Sequence, residues 1–474
     1  MARNYLNCTL RFSLTLLVSL LLFGVASFAQ ASTAQAADTV TSGYGAGVNP
    51  TGNPIGGGVG YSKIIAQSAA KYVVSTKSQL LTALDDATSG QIVYVADSAQ
   101  IDLTGVKNLA VPAGVTLASG RGQNGSSGGL IYNNDRASSR YPEFIKLGTD
   151  ARVTGLRVRG PDGAVGTSSS GYLYSGLNAD GVDSVEIDNC EIYNWPQSGV
   201  GFYQASTGWV HHNYIHNCQR TGFGYGVAVS GASVLIEANL FDYNRHSIMG
   251  ERGYPVSSYE ARYNIFETGC TTGQSCDMHG GNDISDKTVP AGGTISIHHN
   301  TFKAIWNAVN IRGIPATGAK VYNNWALDDP ADWSPSDVFM QSLDNLPGHT
   351  PYERMQVYDN WYGTSTPPSS NPGSVSTSNR PPATPSAPSG TQEGTTATRY
   401  MYWAMTTDPD GDTLWYTFDW GDGSGSTTIL KNSGTTGSAT HSWTRSGEYA
   451  VRVRSTDSEG AISSWSPAMT VNVL

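Results

Sequence analysis

Charge is scarce in this chain: only 14% of its 474 residues are Asp, Glu, Lys or Arg, and the basic ones are fewer, 28 against 38. A formal charge of −10 leaves no broad basic surface and argues against nucleic acid or an anionic membrane as partner. Apolar runs are scarce too. The stretch from Leu14 to Phe28 stands after Arg3 and Arg11 and before two small-residue cleavage sequences, Ala29-Gln-Ala31 and Ala34-Gln-Ala36. Residues 1–31 therefore read as a secretory signal, too short for a membrane span. No second apolar run follows, no cysteine stands just after the first to take a lipid, and Val471-Asn-Val-Leu474 is not an anchor. The expectation is an exported protein, secreted or held at the cell surface, with its formal charge moving to −12 once the two leader arginines are gone. Cysteine is rare, five in all. Cys8 lies in the leader, Cys190 and Cys218 look too far apart to bridge, and Cys270 and Cys276 are close enough to clip one insertion, though spacing alone does not fix a pairing.

Helical periodicity is missing over the middle of the chain, and a different regularity stands in its place. Seven times an apolar residue is followed by two mostly polar ones, an asparagine or its substitute, and an apolar or aromatic residue two places on. The first copies are Ile187-Asp-Asn-Cys190-Glu-Ile192, Val210-His-His-Asn213-Tyr-Ile215, Ile236-Glu-Ala-Asn239-Leu-Phe241 and Ala261-Arg-Tyr-Asn264-Ile-Phe266. Ile297-His-His-Asn300-Thr-Phe302, Val321-Tyr-Asn-Asn324-Trp-Ala326 and Val357-Tyr-Asp-Asn360-Trp-Tyr362 complete the series. The spacing of about 24 residues, twice stretched by about a dozen, is that of a solenoid. Short apolar stretches of period two, broken by Gly and Asn, make it a parallel β-helix with three short strands per coil. The asparagines are expected to stack at a sharp corner that needs a left-handed residue, each amide bonding the next. Cys190 replaces one of them.

This pattern resembles the pectate-lyase-like right-handed β-helix superfamily over about residues 70–363, including a lead-in coil at Gly90–Val95 and Val111–Leu117. Residues 32–69, rich in Gly, Ser and Ala, read as an extended cap or tether. Residues 364–391 have the Pro, Ser and Thr content of a linker. From about Asn379 the sequence changes to alternating strands with frequent turns, a small β-sandwich over 392–474. Asp408-Pro-Asp-Gly-Asp412, Phe418-Asp-Trp-Gly-Asp-Gly423, His441-Ser-Trp443 and Gly447–Val453 with Asp457 resemble a PKD domain, and the resemblance implies a spacer or adhesive module. The fold class is all-β. The layout is similar to secreted and surface proteins of methanogenic archaea and some actinobacteria. Asp408, Asp410 and Asp412 have calcium-ligand spacing, which is also ordinary turn chemistry; calcium is the one cofactor the residues suggest.

The first strand of each coil is read as Val200–Tyr203, Val227–Ser230, His246–Met249, Cys276–His279 and Val309–Arg312. Alternation turns the first and third residues of each inward, with His246 the polar exception. The outward columns are then Gly201, Ala228, Ser247, Asp277, Asn310 and Tyr203, Ser230, Met249, His279, Arg312. With coils about 4.8 Å apart, Asp277, His279, Asn310 and Arg312 form one polar patch. Arg245 precedes the third of these strands; Glu251, Arg252 and Tyr254 leave it, and Asp283 and Asp286 follow His279. The resemblance implies that a polysaccharide or surface glycan lies along this face.

Three functions compete. Lyase chemistry on a uronic acid needs a cation for the carboxylate, a base and a proton donor. His279 or an arginine is the candidate base, oriented by Asp277, with Arg312, Arg245 or Asn310 on the carboxylate and Tyr254 as donor. Tyr203, Glu251, Arg252 and His246 are candidate substrate contacts. Hydrolysis needs two carboxylates about 5–9.5 Å apart, Asp277 with Glu251 or Asp283. The rows Asp277–Gly280 and Asn310–Arg312 resemble rows of polygalacturonase-type hydrolases, but the acidic row expected before them is replaced by Ser247 and Met249. The calcium cluster implied by a pectate lyase is also missing, because Asp277 is the lone outward carboxylate. The third function is a non-catalytic adhesive rod. A second outward ladder, Asp188, His211, Glu237, Arg262, His298, Tyr322 and Tyr358, reads as structural pairing. Its histidines His211 and His298 are three coils, roughly 14 Å, apart, too far to share a metal ion.

Overall fold

The structure, a computed structural model, describes residues 43–474 except 136–142, 163–174, 252–255, 270–273, 304–306, 328–337, 350–351, 368–379, 410–413, 429–430, 432 and 458–460. Each coil of chain gives one strand to each of three long parallel sheets. The row Leu177, Val200, Val227, Ile248, Cys276, Val309 and Phe339 runs in register through the first sheet. All seven are fully buried. They meet the inward rows of the other two sheets, such as Ile187–Val210–Ile236–Ala261–Ile297 and Ile192–Ile215–Phe241–Phe266–Phe302, in one continuous apolar core. Burial of this repeated row is the main favourable term in the fold.

The corner between the second and third sheets is built by the asparagines. In each rung the backbone N–H and side-chain amide of one asparagine both donate to Oδ1 of the next, as from Asn239 to Asn264 at 2.9 and 3.1 Å. The run continues from Asn213 to Asn360. Cys190 ends it, its N–H donating to Asn213 Oδ1. The left-handed residue is not the asparagine itself. It stands one place earlier, at Asn189, His212, Ala238, Tyr263, His299, Asn323 and Asp359, all with φ near +50°. The strain of these seven non-glycine residues is held by the amide ladder that follows them.

The α-helix Lys77–Asp86 was not expected from the sequence. Thr76 caps it by accepting from the Gln79 N–H, and it buries Leu80, Ala83 and Leu84 in the main core beside the strand Ile92–Val95. Residues 43–62 also form more than a tether. They run as a strap along the asparagine corner, from late coils toward early ones. The Gly45 N–H donates to the Asn323 carbonyl, Gly56 to Ala238, and Gly58 to Asn189 Oδ1, all within 2.9 Å. Tyr61 donates to Asp188 at 2.8 Å. Gly57 is required here: at φ +69° a Cβ would lie 2.3 Å from the His212 carbonyl. Tyr44 meets the Trp361 ring at 5.7 Å, and Gly45 and Gly56 lie against Trp325 and Leu240, apolar side chains on the outside of the third sheet.

The C-terminal residues form a small sandwich of a three-stranded and a five-stranded sheet. Its core holds Tyr402, Tyr416, Phe418, Trp420 and Trp443. Trp443 Nε1 donates to the Trp420 carbonyl at 3.2 Å, and His441 stacks on Trp420 while meeting Asp422 at 2.8 Å. Of the three carboxylates with calcium spacing, Asp408 is buried with its N–H donating to Ser433, and Asp410 and Asp412 lie outside the described residues. Cys270 lies outside them too, and Cys276 is a buried thiol of the inward row. No helix among the described residues is long and apolar enough to cross a membrane.

Replacing Asn264 by Ala removes the acceptor of the Asn239 N–H and the donors to the Ile236 carbonyl and Asn300. Stranding buried backbone groups at one rung is expected to cost about 2–4 kcal/mol, read as a lowered midpoint of urea unfolding.

Candidate functional site

Two of the first-sheet strands carry the expected charged residues, and the parallel register places them side by side. Asp277 pairs with Asn310, and the backbone ladder continues from Gly250 through His279 and from Met278 through Arg312. One edge of the Arg312 guanidinium donates to Asp277, Nε to Oδ1 at 2.6 Å and an Nη to Oδ2 at 2.8 Å. His279 Nε2 stands 3.3 Å from the same Oδ2, while its Nδ1 meets the carboxylate of Asp283. Asn310 Oδ1 accepts from Ser342 at 2.9 Å. Asp277 is fully buried beneath these groups, whereas the side chains of His279 and Arg312 are about a quarter exposed.

The order of the preceding row is corrected by the register. Tyr225 pairs with His246, Ala228 with Met249 and Ser230 with Glu251, so that strand is offset by two from its expected alignment. The outward columns are therefore Gly201, Ala228, Met249, Asp277, Asn310 and Tyr203, Ser230, Glu251, His279, Arg312. The cause is a break in alternation at the start of these strands. A Cβ on Gly199 or Gly226 would touch Ile192 or Phe241 in the core, while the following Val200 and Val227 also point inward. Ser247, expected outward, occupies the same place as those glycines and is buried. His246, expected inward, instead sits on the outer face, stacked on Tyr225 with Nε2 3.5 Å from Asp277 Oδ2. Glu251 is an exposed carboxylate of the site's own column, a second outward carboxylate that sequence reasoning had placed in a loop.

Other expected contacts stand farther away. Tyr203 shares the column but three coils off, roughly 14 Å, its ring folded over Gly201. Arg245 is half-buried and donates to the Phe223 carbonyl at 3.5 Å. Arg252 and Tyr254 lie outside the described residues. Met249, with Tyr225, Ala228 and Phe223, forms a small apolar cluster beside Asp277.

The electrostatics distinguish the two imidazoles. Burial alone lowers the pKa of His279, but the Asp283 hydrogen bond and the charges of Asp277 and Asp283 outweigh it and raise the value. Burial holds His246 down at about 4 in spite of Asp277. Asp283 is kept below its ordinary value by His279 even though burial opposes this. At pH 6 and somewhat below, the site thus carries an imidazolium and a guanidinium on one buried carboxylate, with a neutral histidine behind it. With both ring nitrogens of His279 engaged by carboxylates, the base role expected for it does not fit this arrangement.

The second-sheet ladder keeps the order expected for it, Asp188, His211, Glu237, Arg262, His298, Tyr322 and Tyr358. Glu186, Asp188 and His211 lie within ligating reach of one another, yet Arg152 bonds both oxygens of Asp188 and neighbours Glu186 at 3.5 Å, which satisfies the carboxylates without an ion. Each His-His-Asn phrase forms a relay. Glu186 meets His211 at 3.0 Å, the two Nδ1 atoms of His211 and His212 are 2.8 Å apart, and His212 Nε2 meets the Thr51 hydroxyl of the strap at 2.9 Å. Glu260, His298, His299 and Asn323 repeat it. Since Glu186 is held down at about 2 by Arg152 and His211 against burial, it accepts. The hydrogens then run in one direction, Thr51 donating to His212, His212 to His211 and His211 to Glu186.

Burial pushes His212 down to about 4, lowers His298, and takes His299 well below its ordinary value. Their unfolded values near 6.5 are higher, so the unfolded chain binds more protons and stability falls as pH drops from about 6.5 toward 4. Thermal unfolding midpoints measured across that range are expected to fall, with His212 alone worth on the order of 3 kcal/mol; a flat profile contradicts the buried relays.

Residues 149–326 match the right handed beta helix region family, and residues 379–473 match the PKD domain family. Among solved structures, the chain is similar to the PKD domain of an M14-like peptidase from Thermoplasmatales archaeon SCGC AB-540-F20. The identity is 34% over 20% of this chain and 98% of that one, with a TM-score of 0.19. It is also similar to ORF18 of Geobacillus virus E2, at 9% identity over 83% of this chain and 72% of that one, TM-score 0.28. No curated protein matches the chain. Three parallel sheets and an antiparallel sandwich agree with both family matches: the chain is a right-handed β-helix followed by a small sandwich that matches the PKD domain family.

Proposed function

We propose that the protein is an exported carbohydrate-active protein that binds a polysaccharide along the outer face of its first sheet and cleaves a uronic-acid-containing chain by β-elimination. The observation that carries this reading is the pair of partly exposed cations, Arg312 and His279, held over the buried Asp277. In a chain of net negative charge a polyanion needs such a local positive site. The two cations meet the uronate carboxylate and stabilise the charge that develops when the adjacent carbon loses its proton. Glu251, exposed in the same column, takes that proton as general base; the electron pair left behind forms the carbon–carbon double bond and expels the glycosidic oxygen on the next carbon, which takes its proton from water. Asn310 and the Phe223–Tyr225 cluster line the approach on either side.

One observation favours the non-catalytic rod instead: Arg312, Asp277, His279 and Asp283 already satisfy one another, as surface charges on a passive β-helix do. Incubation of the full chain with a panel of uronate polymers separates the readings. Unsaturated ends absorbing in the ultraviolet are expected, and His279→Ala or Arg312→Ala is expected to lower kcat/KM about 10²–10³-fold while the protein stays folded. Reducing ends without that absorbance mean hydrolysis. Retained glycan with neither signal means the adhesive rod.

A further inference from the structure

His246 is buried against Asp277 with a fixed ring orientation. Its Nδ1 lies 2.8 Å from the Gln274 carbonyl, an acceptor, so Nδ1 carries the hydrogen and the neutral ring keeps its lone pair on Nε2. That atom is buried, has no hydrogen-bond partner, and faces Asp277 Oδ2 at 3.5 Å. Two acceptors thus confront each other where the side chains are 1% and 0% exposed. The arrangement is tolerable while Arg312 and His279 answer the charge of Asp277 from the other side. These are also the two cations open to solvent, and an anionic ligand draws on them both. A buried carboxylate stripped of its cations is strongly unfavourable, and His246 is the imidazole left in contact with it.

We propose that binding of a sugar carboxylate to Arg312 and His279 is coupled to uptake of one solvent proton by Nε2 of His246, which then donates to Asp277 and fills the place the two cations leave. His246 is in this sense a positioning residue that lets the site accept anionic rather than neutral sugars. The proposal rests on the reading of the patch as a uronate site. The groups facing His246 decide the direction of the effect. Burial keeps the free ring neutral; Asp277 and the Gln274 carbonyl favour the charged form, and Arg245 and Arg312 oppose it. The Tyr225 ring covers one face at 6.0 Å. When Arg312 turns to the ligand, one opposing charge moves away and Asp277 loses its other partner, so the bound-state pKa rises above about 4. Affinity then strengthens as pH falls from that bound-state value toward about 4, by up to about tenfold per pH unit for one proton, and levels off below it.

The test is calorimetric titration of the full chain at pH 6 and pH 5, where His279 is already charged, in two buffers of different protonation heat. A uronate hexasaccharide and its neutral methyl ester serve as probes. The expected result is net proton uptake on binding the uronate oligomer that grows between pH 6 and pH 5, none with the ester, and uptake near zero for His246→Phe, which still binds the uronate more weakly. Zero uptake in the native chain, or the same uptake in the variant, overturns the proposal. Should His246→Phe fail to fold, nitrogen NMR of labelled histidines in the native complex decides: conversion of the His246 ring from its Nδ1–H tautomer to imidazolium supports it, and an unchanged tautomer overturns it. Uronate binding without proton uptake sinks this coupling alone, whereas failure to bind any uronate removes the reading beneath it as well.

Discussion

In-register stacking of successive coils is the constraint on which everything else in the β-helix depends. Each strand pairs with its copy one coil on, so a side chain's neighbours are set by its place in the coil rather than by its place in the chain. The asparagine corner enforces that register. A slip by one residue would turn every inward side chain outward and leave the amides of Asn213 through Asn360 without partners. The left-handed residues before each asparagine add a cost at every coil, and the fold tolerates it because the amide ladder and the apolar rows determine the same geometry. Two insertions of about a dozen residues leave this order untouched, since they enter between strands.

Once register is fixed, electrostatics follow from which polar side chains share a column. On the second sheet the columns neutralise themselves: carboxylates meet Arg152, Arg262, His211 and His298, and the strap closes one relay through Thr51. The first sheet differs. There a single buried carboxylate, Asp277, holds two cations that remain partly exposed and confronts a neutral imidazole that offers it no hydrogen. A group of charges satisfied on its buried side and open on its solvent side can exchange partners with a ligand. Arg152 on Asp188 is similarly exposed; the first-sheet group adds a second partly exposed cation and the unpartnered Nε2 of His246 facing the carboxylate.

Much of this was legible in the sequence because solenoid geometry converts spacing into contact. The asparagine phrase identifies the corner, and counting two places back from each key residue yields the ladder from Asp188 to Tyr358 in its true order. Asp277, His279, Asn310 and Arg312 come together for the same reason. The row before them was misread, because His246-Ser-Ile-Met249 alternates convincingly while the strand in fact has two successive inward residues near its start. The glycines at 199 and 226, tight against Ile192 and Phe241, were the signal that the pattern breaks there. Shifting that row by two moves Glu251 into the site and brings His246 onto Asp277. The strap was not legible: its Gly-rich sequence has no period, and its contacts are made largely through backbone groups. The helix at Lys77–Asp86 is short, and its apolar face becomes meaningful only against the core it adjoins.

A crystal structure of the full chain with a uronate hexasaccharide tests the central claim most directly. The account requires a sugar carboxylate within hydrogen-bonding distance of Arg312 and His279, the chain lying along the outer face of the first sheet, and Glu251 beside the carbon next to that carboxylate. An oligosaccharide bound on another sheet or on the PKD domain, with Arg312 and His279 still closed on Asp277 and Asp283, would contradict it.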